Sequence, residues 1–278
     1  MKAYFGDNQF IGVNHSEGKG LDYLSKYESV EDIAITLRDA WDAGIRDFCF
    51  TVNKKTIDAI NLVISDCPFN LHPALPYAHR VNELLLEKGL IGTLTQKVGQ
   101  FGVLNLIRAG GTGLFGKYDN IFHLLVRSEL EGIPMEYVKS VGLLNVAADF
   151  VLGLNRADLL HSFYRVVKDR LGCKPMFYTM NFPLMAESLW GSGYTDCGLI
   201  FNYNKNGFRT NPSISEVQKC ISKYSDRETI AMSLFSGGKE SELKEVLSTV
   251  PSLSGVLFGS SKKVNIENNI KALEQTTT

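Results

Sequence analysis

The sequence predicts a closed (β/α)8 barrel forming one large domain, and three observations predict it. Short apolar runs alternate with amphipathic helical stretches almost from end to end. Strands separated by helices pair in parallel through right-handed crossovers. Eight such units fit within 278 residues, close to the roughly 250 that a single barrel needs. A doubly wound open sheet is the alternative.

The first strand candidate is Phe10–Asn14. A helix from Ser29 to Ala43 follows, with Ser29 as N-cap, Asp32 at the third helical position and Gly44 as the stop. Asp47–Val52 reads as the second strand, followed by helix Thr56–Ser65. Leu71–Ala78 is the third strand, and its two prolines make it the least regular. The rhythm then breaks. From His79 to Pro134 a helical start, a glycine-rich irregular run and a second helix, IFHLLVRSELEG, separate the third strand from the fourth. This is too long for one crossover helix and reads as a lid-like insertion. The fourth strand is Val138–Leu144, with helix Arg156–Leu171 stopped by Gly172. The remaining strands are Pro175–Met180, Gly198–Tyr203, Thr229–Leu234 and Ser254–Phe258, with helices at Leu184–Trp190, Ser213–Ser225, Glu240–Val250 and Asn265–Gln275.

Composition narrows the function. Hydrophobic residues make up 44 % and charged residues 21 %, an ordinary globular balance. Basic and acidic residues number 29 and 30, a net charge of −1 that argues against nucleic acid as a partner. No signal peptide is evident, and the longest apolar stretch, Val141–Leu154, is interrupted by Asn145 and Asp149, which argues against a membrane span. The five cysteines stand far apart with no CxxC pair, as expected of buried free thiols in a reducing cytoplasm. Association into a homo-oligomer is left open.

The most specific stretch runs from Thr229 to Ile270. A strand ends in Ser236-Gly237-Gly238 and a helix follows; the next strand ends in Gly259-Ser260-Ser261, again before a helix. Glycine lets the backbone approach a ligand closely, and free N–H groups at helix N-termini favour an anion. The serines add hydroxyl donors. The stretch resembles the phosphate-binding half of the TIM barrels of histidine, tryptophan and thiamine biosynthesis and of FMN-binding barrels. These carry a Gly-Gly turn after strand seven and a Gly-Ser or Gly-small turn after strand eight. The rest of the chain resembles them only in strand–helix order. The resemblance implies a phosphorylated small molecule, or alternatively FMN, held by Ser236, Gly237, Gly238, Gly259, Ser260 and Ser261.

Barrel chemistry sits at the C-terminal strand ends. The polar residues expected there are rich in amides and poor in carboxylates, with Glu17 and Asp149 the nearest acids. Five histidines without an HxH pair argue against a metal site, and the lack of a carboxylate pair argues against glycoside hydrolysis. His15, Tyr77, His79 and Lys205 are therefore the catalytic candidates. His15 would serve as general acid or base, and Lys205 as a Schiff-base lysine by fold analogy alone. Asn145, Asn181, Asn202 and Arg209 are the candidates for substrate binding, with loop capping the competing role for the asparagines. His72, His123 and His161 read as structural. The expected function is metal-free lyase, aldolase or isomerase chemistry on a phosphorylated, carbohydrate-like substrate, in biosynthesis. The alternatives are an FMN-dependent oxidoreductase and a non-catalytic barrel acting as a binding partner.

Overall fold

The computed structural model describes residues 1–12, 25–75, 118–234 and 253–277. Eight parallel strands close in sequence order into a barrel. They are β1 (Lys2–Gly6), β2 (Asp47–Thr51), β3 (Asn70–Leu75), β4 (Ser140–Leu143), β5 (Lys174–Thr179), β6 (Gly198–Asn202), β7 (Glu228–Met232) and β8 (Gly255–Phe258). The described helices are α1 (Val30–Asp42), α2 (Lys54–Val63), α3 (Asp119–Glu129), α4 (Asn145–Gly153), α5 (Ala157–Arg165), α6 (Phe182–Leu189), α7 (Ile214–Lys223) and α8 (Lys263–Thr277).

Local chemistry starts several of these helices. Ser29 and Asp32 form a reciprocal capping box, Asp32 N–H to Ser29 Oγ and Ser29 N–H to Asp32 Oδ2, each at 3.1 Å. The Ser29 hydroxyl, at 2.6 Å, and the Ser29 N–H both donate to Asp32 Oδ2 and hold its carboxyl below the usual range. Gly44 ends the segment with φ +93°, as the sequence leads one to expect. Asn53 caps α2 by accepting the Thr56 N–H at 2.9 Å, so that helix begins two residues earlier than predicted, at Lys54 rather than Thr56.

The largest correction concerns the first strand, which is Lys2–Gly6 and not Phe10–Asn14. Phe10 is buried outside the barrel wall, its ring 4.9 Å from that of Tyr27 and 6.3 Å from Phe5. It belongs to the layer between sheet and helices, which is why an apolar run at this place is not a strand. The third strand spans Asn70–Leu75; the rest of its predicted range, residues 76–78, lies outside the described residues. The predicted helix Arg156–Leu171 is α5 running into a π-helical turn, Val166–Arg170. An additional helix, α4, follows β4 at once, so the apolar run Val141–Leu154 is split between a strand and a helix. Of the expected insertion, IFHLLVRSELEG lies in and just beyond α3, which packs on α5 as an ordinary crossover helix; residues 79–117 lie outside the described residues, and so does the predicted helix Glu240–Val250.

Strand alternation sorts the side chains. Phe5, Phe48, Phe50, Phe177, Phe201 and Val256 face the helices in the main core. Tyr4, Cys49, Ala74, Met176, Tyr178, Ile200 and Ile230 fill the barrel interior. Small residues make room for large ones there. A Cβ at Gly142 would lie 2.9 Å from the Tyr178 ring, and one at Gly255 would lie 2.7 Å from the Tyr4 ring and 2.9 Å from the Lys2 carbonyl. The N-terminal end of the barrel is closed by polar partners. His72 bridges Asp47 (Nε2 to Oδ1, 2.8 Å) and Ser140 (Nδ1 to Oγ, 2.6 Å). Lys2 pairs with Asp47 at 2.8 Å, and Glu228 takes Lys174 and the Tyr4 hydroxyl. These groups serve stability, as conserved chemistry at this face of a barrel usually does. All five cysteines are free and buried.

Candidate active site

The open end of the barrel is built from the residues just past each strand. Asp7 follows β1 immediately and is 5 % exposed. Its Oδ2 accepts the Thr51 N–H at 2.7 Å, from the last residue of β2. Its carbonyl accepts the Phe10 N–H at 2.7 Å, which closes a tight turn at residues 7–10. Burial pushes the Asp7 carboxyl up to about 7, and the Thr51 bonds offset this only in part. Below it lie the buried Cys49 thiol and Tyr178 hydroxyl, and burial raises both above their usual ranges. Asp7 is thus the one carboxyl at this end, among the described residues, pushed up into the neutral range.

Across the mouth, Asn202 ends β6 with 4 % exposure. Its Oδ1 accepts from Ser233 Oγ at 2.6 Å, and its Nδ2 faces the Met180 thioether, a weak acceptor, at 2.8 Å. Ser233 holds a left-handed backbone, φ +63°, directly after β7. A non-glycine residue there costs of order 1 kcal/mol, and such strain gathers at functional sites. Asn202 and Ser233 therefore form a rigid polar pair aimed at the opening.

The other predicted residues divide. Asn181 caps α6, accepting the Leu184 N–H at 3.3 Å, so capping is what its side chain does. Asn145 is the first residue of α4 and half-buried at the rim. Asp149, on the same helix, accepts from Thr179 Oγ1 (2.6 Å) and the Met180 N–H (2.8 Å), which ties α4 to the end of β5; burial raises its carboxyl. Lys205 is exposed, beyond the end of β6, and lacks the burial that would lower a lysine to a nucleophile. Arg209, also exposed, takes φ +54° and stacks over Phe208 at 5.1 Å. Buried Asn204 pins that loop, its amide bonded to the Phe208 carbonyl (2.7 Å) and N–H (2.9 Å).

The β8 turn carries a more definite geometry than the sequence supplied. Gly259 has no unusual φ. A Cβ there would fall 2.2 Å from Gln9 Oε1 and 3.1 Å from the Gly6 carbonyl, so the glycine lets the ends of β8 and β1 approach. Ser260 Oγ accepts the Lys262 N–H at 3.3 Å within the turn, and the Ser261 carbonyl accepts from Lys26. Ser236, Gly237, Gly238, His15, Tyr77 and His79 lie outside the described residues. The first strand ends at Gly6, nine residues before His15, so His15 does not follow it directly. Asp7 was missed for the same reason. Its signal was the pattern Tyr4-Phe5-Gly6-Asp7-Asn8, a buried run broken by turn formers. Among the described residues, no three His, Cys, Asp or Glu side chains gather where they could hold a metal ion, and no helix is long and apolar enough to cross a membrane.

No family model and no curated protein matches the sequence. Solved structures match in fold. A proposed aldo-keto reductase from Pseudomonas aeruginosa aligns over 99 % of this chain and 90 % of its own, with TM-score 0.56 and 10 % identity. A second structure so described, from the same organism, covers 98 % of this chain and 90 % of its own with TM-score 0.54 and 11 % identity. The catalytic domain of a β-amylase from Paenibacillus polymyxa covers 99 % and 97 % at 9 % identity, with TM-score 0.47. At such identities the likeness is one of architecture, and the chain is a (β/α)8 TIM barrel.

Proposed function

We propose that the protein is an enzyme of small-molecule metabolism that moves a proton on a phosphorylated, carbohydrate-like substrate, by isomerase, aldolase or lyase chemistry, with Asp7 as general acid/base. The observation that carries this reading is the position of Asp7. It is a buried carboxyl at the mouth of the barrel, balanced near pH 7 between its two protonation states. A proton-transfer group works best when its pKa lies near the working pH. The Thr51 N–H engages Oδ2 inside the protein and so fixes the orientation of the carboxyl.

The phosphate reading draws on the neighbouring strand end. Phe5 pairs with Phe258, so Asp7 and the Gly259–Ser261 turn emerge side by side, and α8 starts at Lys263. A phosphate at that helix N-terminus would anchor the substrate beside the Asp7 carboxyl. The Asn202–Ser233 pair supplies polar contacts for hydroxyl groups. Resident-cofactor chemistry plays no part in this scheme.

A thermal-shift screen with sugar phosphates tests the reading. Stabilisation by a phosphorylated sugar that weakens at least tenfold in Ser260→Ala supports it. No response to any phosphorylated ligand overturns the substrate class. Uptake of FMN by the purified protein, with a yellow colour, would move the reading to flavin chemistry at the same turn.

A further inference from the structure

A second basic cavity lies on the outside of the barrel, away from the mouth. It has a volume of about 560 Å³, within the range of small-molecule sites. Its walls are α3, the segment Leu130–Met135 and the π-helical turn Val166–Arg170 with Leu171. His123 and Arg127 stand four residues apart, hence on one face of α3. Arg170 approaches that face from the π turn and bonds Asn120 Oδ1 at 2.8 Å. Leu130, Ile133 and Leu171 give the cavity an apolar floor.

The charges there are not balanced locally. Arg127 has no ion pair among the described residues, and the partner of Arg170 is a neutral amide. The nearby Asp119 is engaged through both oxygens by Arg165, at 2.8 and 2.9 Å. Glu131 is the one acidic side chain lining the cavity. Burial and the positive charges of Arg170 and Arg127 hold the His123 imidazole below its ordinary range, so the three groups lie close enough to repel. A π turn is rare, carries poorer hydrogen bonding than an α-helix, and is frequent at functional sites. Here it forms the wall that presents Arg170.

We propose that this cavity binds a small amphiphilic oxyanion, a carboxylate or phosphate group carried on an apolar body. The anionic head lies between Arg127 and Arg170 beside His123, and the apolar body rests on Leu130, Ile133 and Leu171. Paired guanidiniums suit either head group, since both accept two parallel N–H bonds. The site is separate from the mouth of the barrel and independent of the reaction proposed there.

The test follows the His123 ring signals by NMR while benzoate and, separately, phenyl phosphate are added to the full-length protein. A saturable shift of those signals by one probe or both is expected, and the responding probe identifies the head group. Binding should weaken at least tenfold in Arg127→Gln and by less in Arg127→Lys, which keeps the charge but loses the fork of parallel N–H bonds; Arg127 is exposed and unpaired, so both variants should fold. The Ser260→Ala variant, which alters the mouth without adding a side chain to the packed turn, should leave the His123 titration unchanged. Failure of both probes to move His123, or equal affinity in Arg127→Gln, overturns the proposal. A His123 response lost in Ser260→Ala assigns the effect to the mouth and overturns it as well.

Discussion

The Thr51 backbone N–H donates to Asp7 Oδ2 at 2.7 Å, joining two strand ends that lie 44 residues apart in the chain. This bond orients the carboxyl without ionising it. The hydrogen bonds it accepts do not offset the loss of water around a group with 5 % exposure, so burial pushes the carboxyl up to about 7. Orientation and proton affinity are thus set by different causes and respond to different substitutions.

Replacing Asp7 with Asn keeps an oxygen for the Thr51 N–H and removes the exchangeable proton. Turnover should fall by roughly 10²–10⁴-fold, the usual contribution of a general acid/base. Near-unchanged melting at neutral pH or above would show that the fold survives. Steady-state rates within a few-fold of the parent protein would remove Asp7 from the chemistry.

The same residue gives stability a pH signature. Its folded pKa lies above the unfolded one, so between about pH 4 and 7 the native state keeps a proton that the unfolded chain has lost. The associated stability is complete below that window and is lost as pH rises through it, by about 1.4 kcal/mol per pH unit. Urea denaturation at pH 4.5 and 7.5 should show the parent protein losing more stability than Asp7→Asn over this interval. Parallel pH profiles for the two proteins would mean that the carboxyl is not perturbed.

Gly259→Ala should destabilise the fold by about 1–3 kcal/mol, the usual cost of overpacking, because the new methyl would meet Gln9 Oε1 at 2.2 Å. Gln9→Ala should recover much of the loss when combined with Gly259→Ala, with a coupling energy above about 0.5 kcal/mol in a double-mutant cycle. Strict additivity would show that the Gly6 carbonyl, not Gln9, sets the constraint.

Ser233 combines an unfavourable backbone with a useful hydroxyl. Ser233→Ala keeps the strain and strands the Asn202 oxygen, which should cost about 1–2 kcal/mol. Ser233→Gly loses the same bond but relaxes φ, and should be more stable than the alanine variant by about 1 kcal/mol. Chemical denaturation of both decides this; an alanine variant at least as stable as the glycine one would contradict the strained geometry.

Barrel closure was legible because seven strand candidates have the right length and sit between amphipathic helices, and each overlaps an observed strand. The eighth failed on local competition. Phe10–Asn14 and Lys2–Gly6 each carry three hydrophobic residues in five, yet Phe10 is buried among Tyr27, Phe5 and Phe48, behind the sheet. Apolar density reports burial, not which layer buries the residue. The site was harder for the same reason. Whether Asn181 caps a helix while Asn202 faces the mouth depends on the end of the preceding strand to within one or two residues, and periodicity does not resolve such boundaries. Asp7 needed a correct first strand before it could be seen at all.

The union of β1 with β8 has a consequence for how the chain comes off the ribosome. Tyr4 reaches Glu228 across 224 residues of sequence, and the partner strand of β1 follows later still. The first strand made must wait for the last, with one edge open until then. Such long-range pairing is slow and exposes the nascent chain to association with other chains. Closing β1 against β8 is therefore a late step, and yield should depend on whatever shields that edge until then.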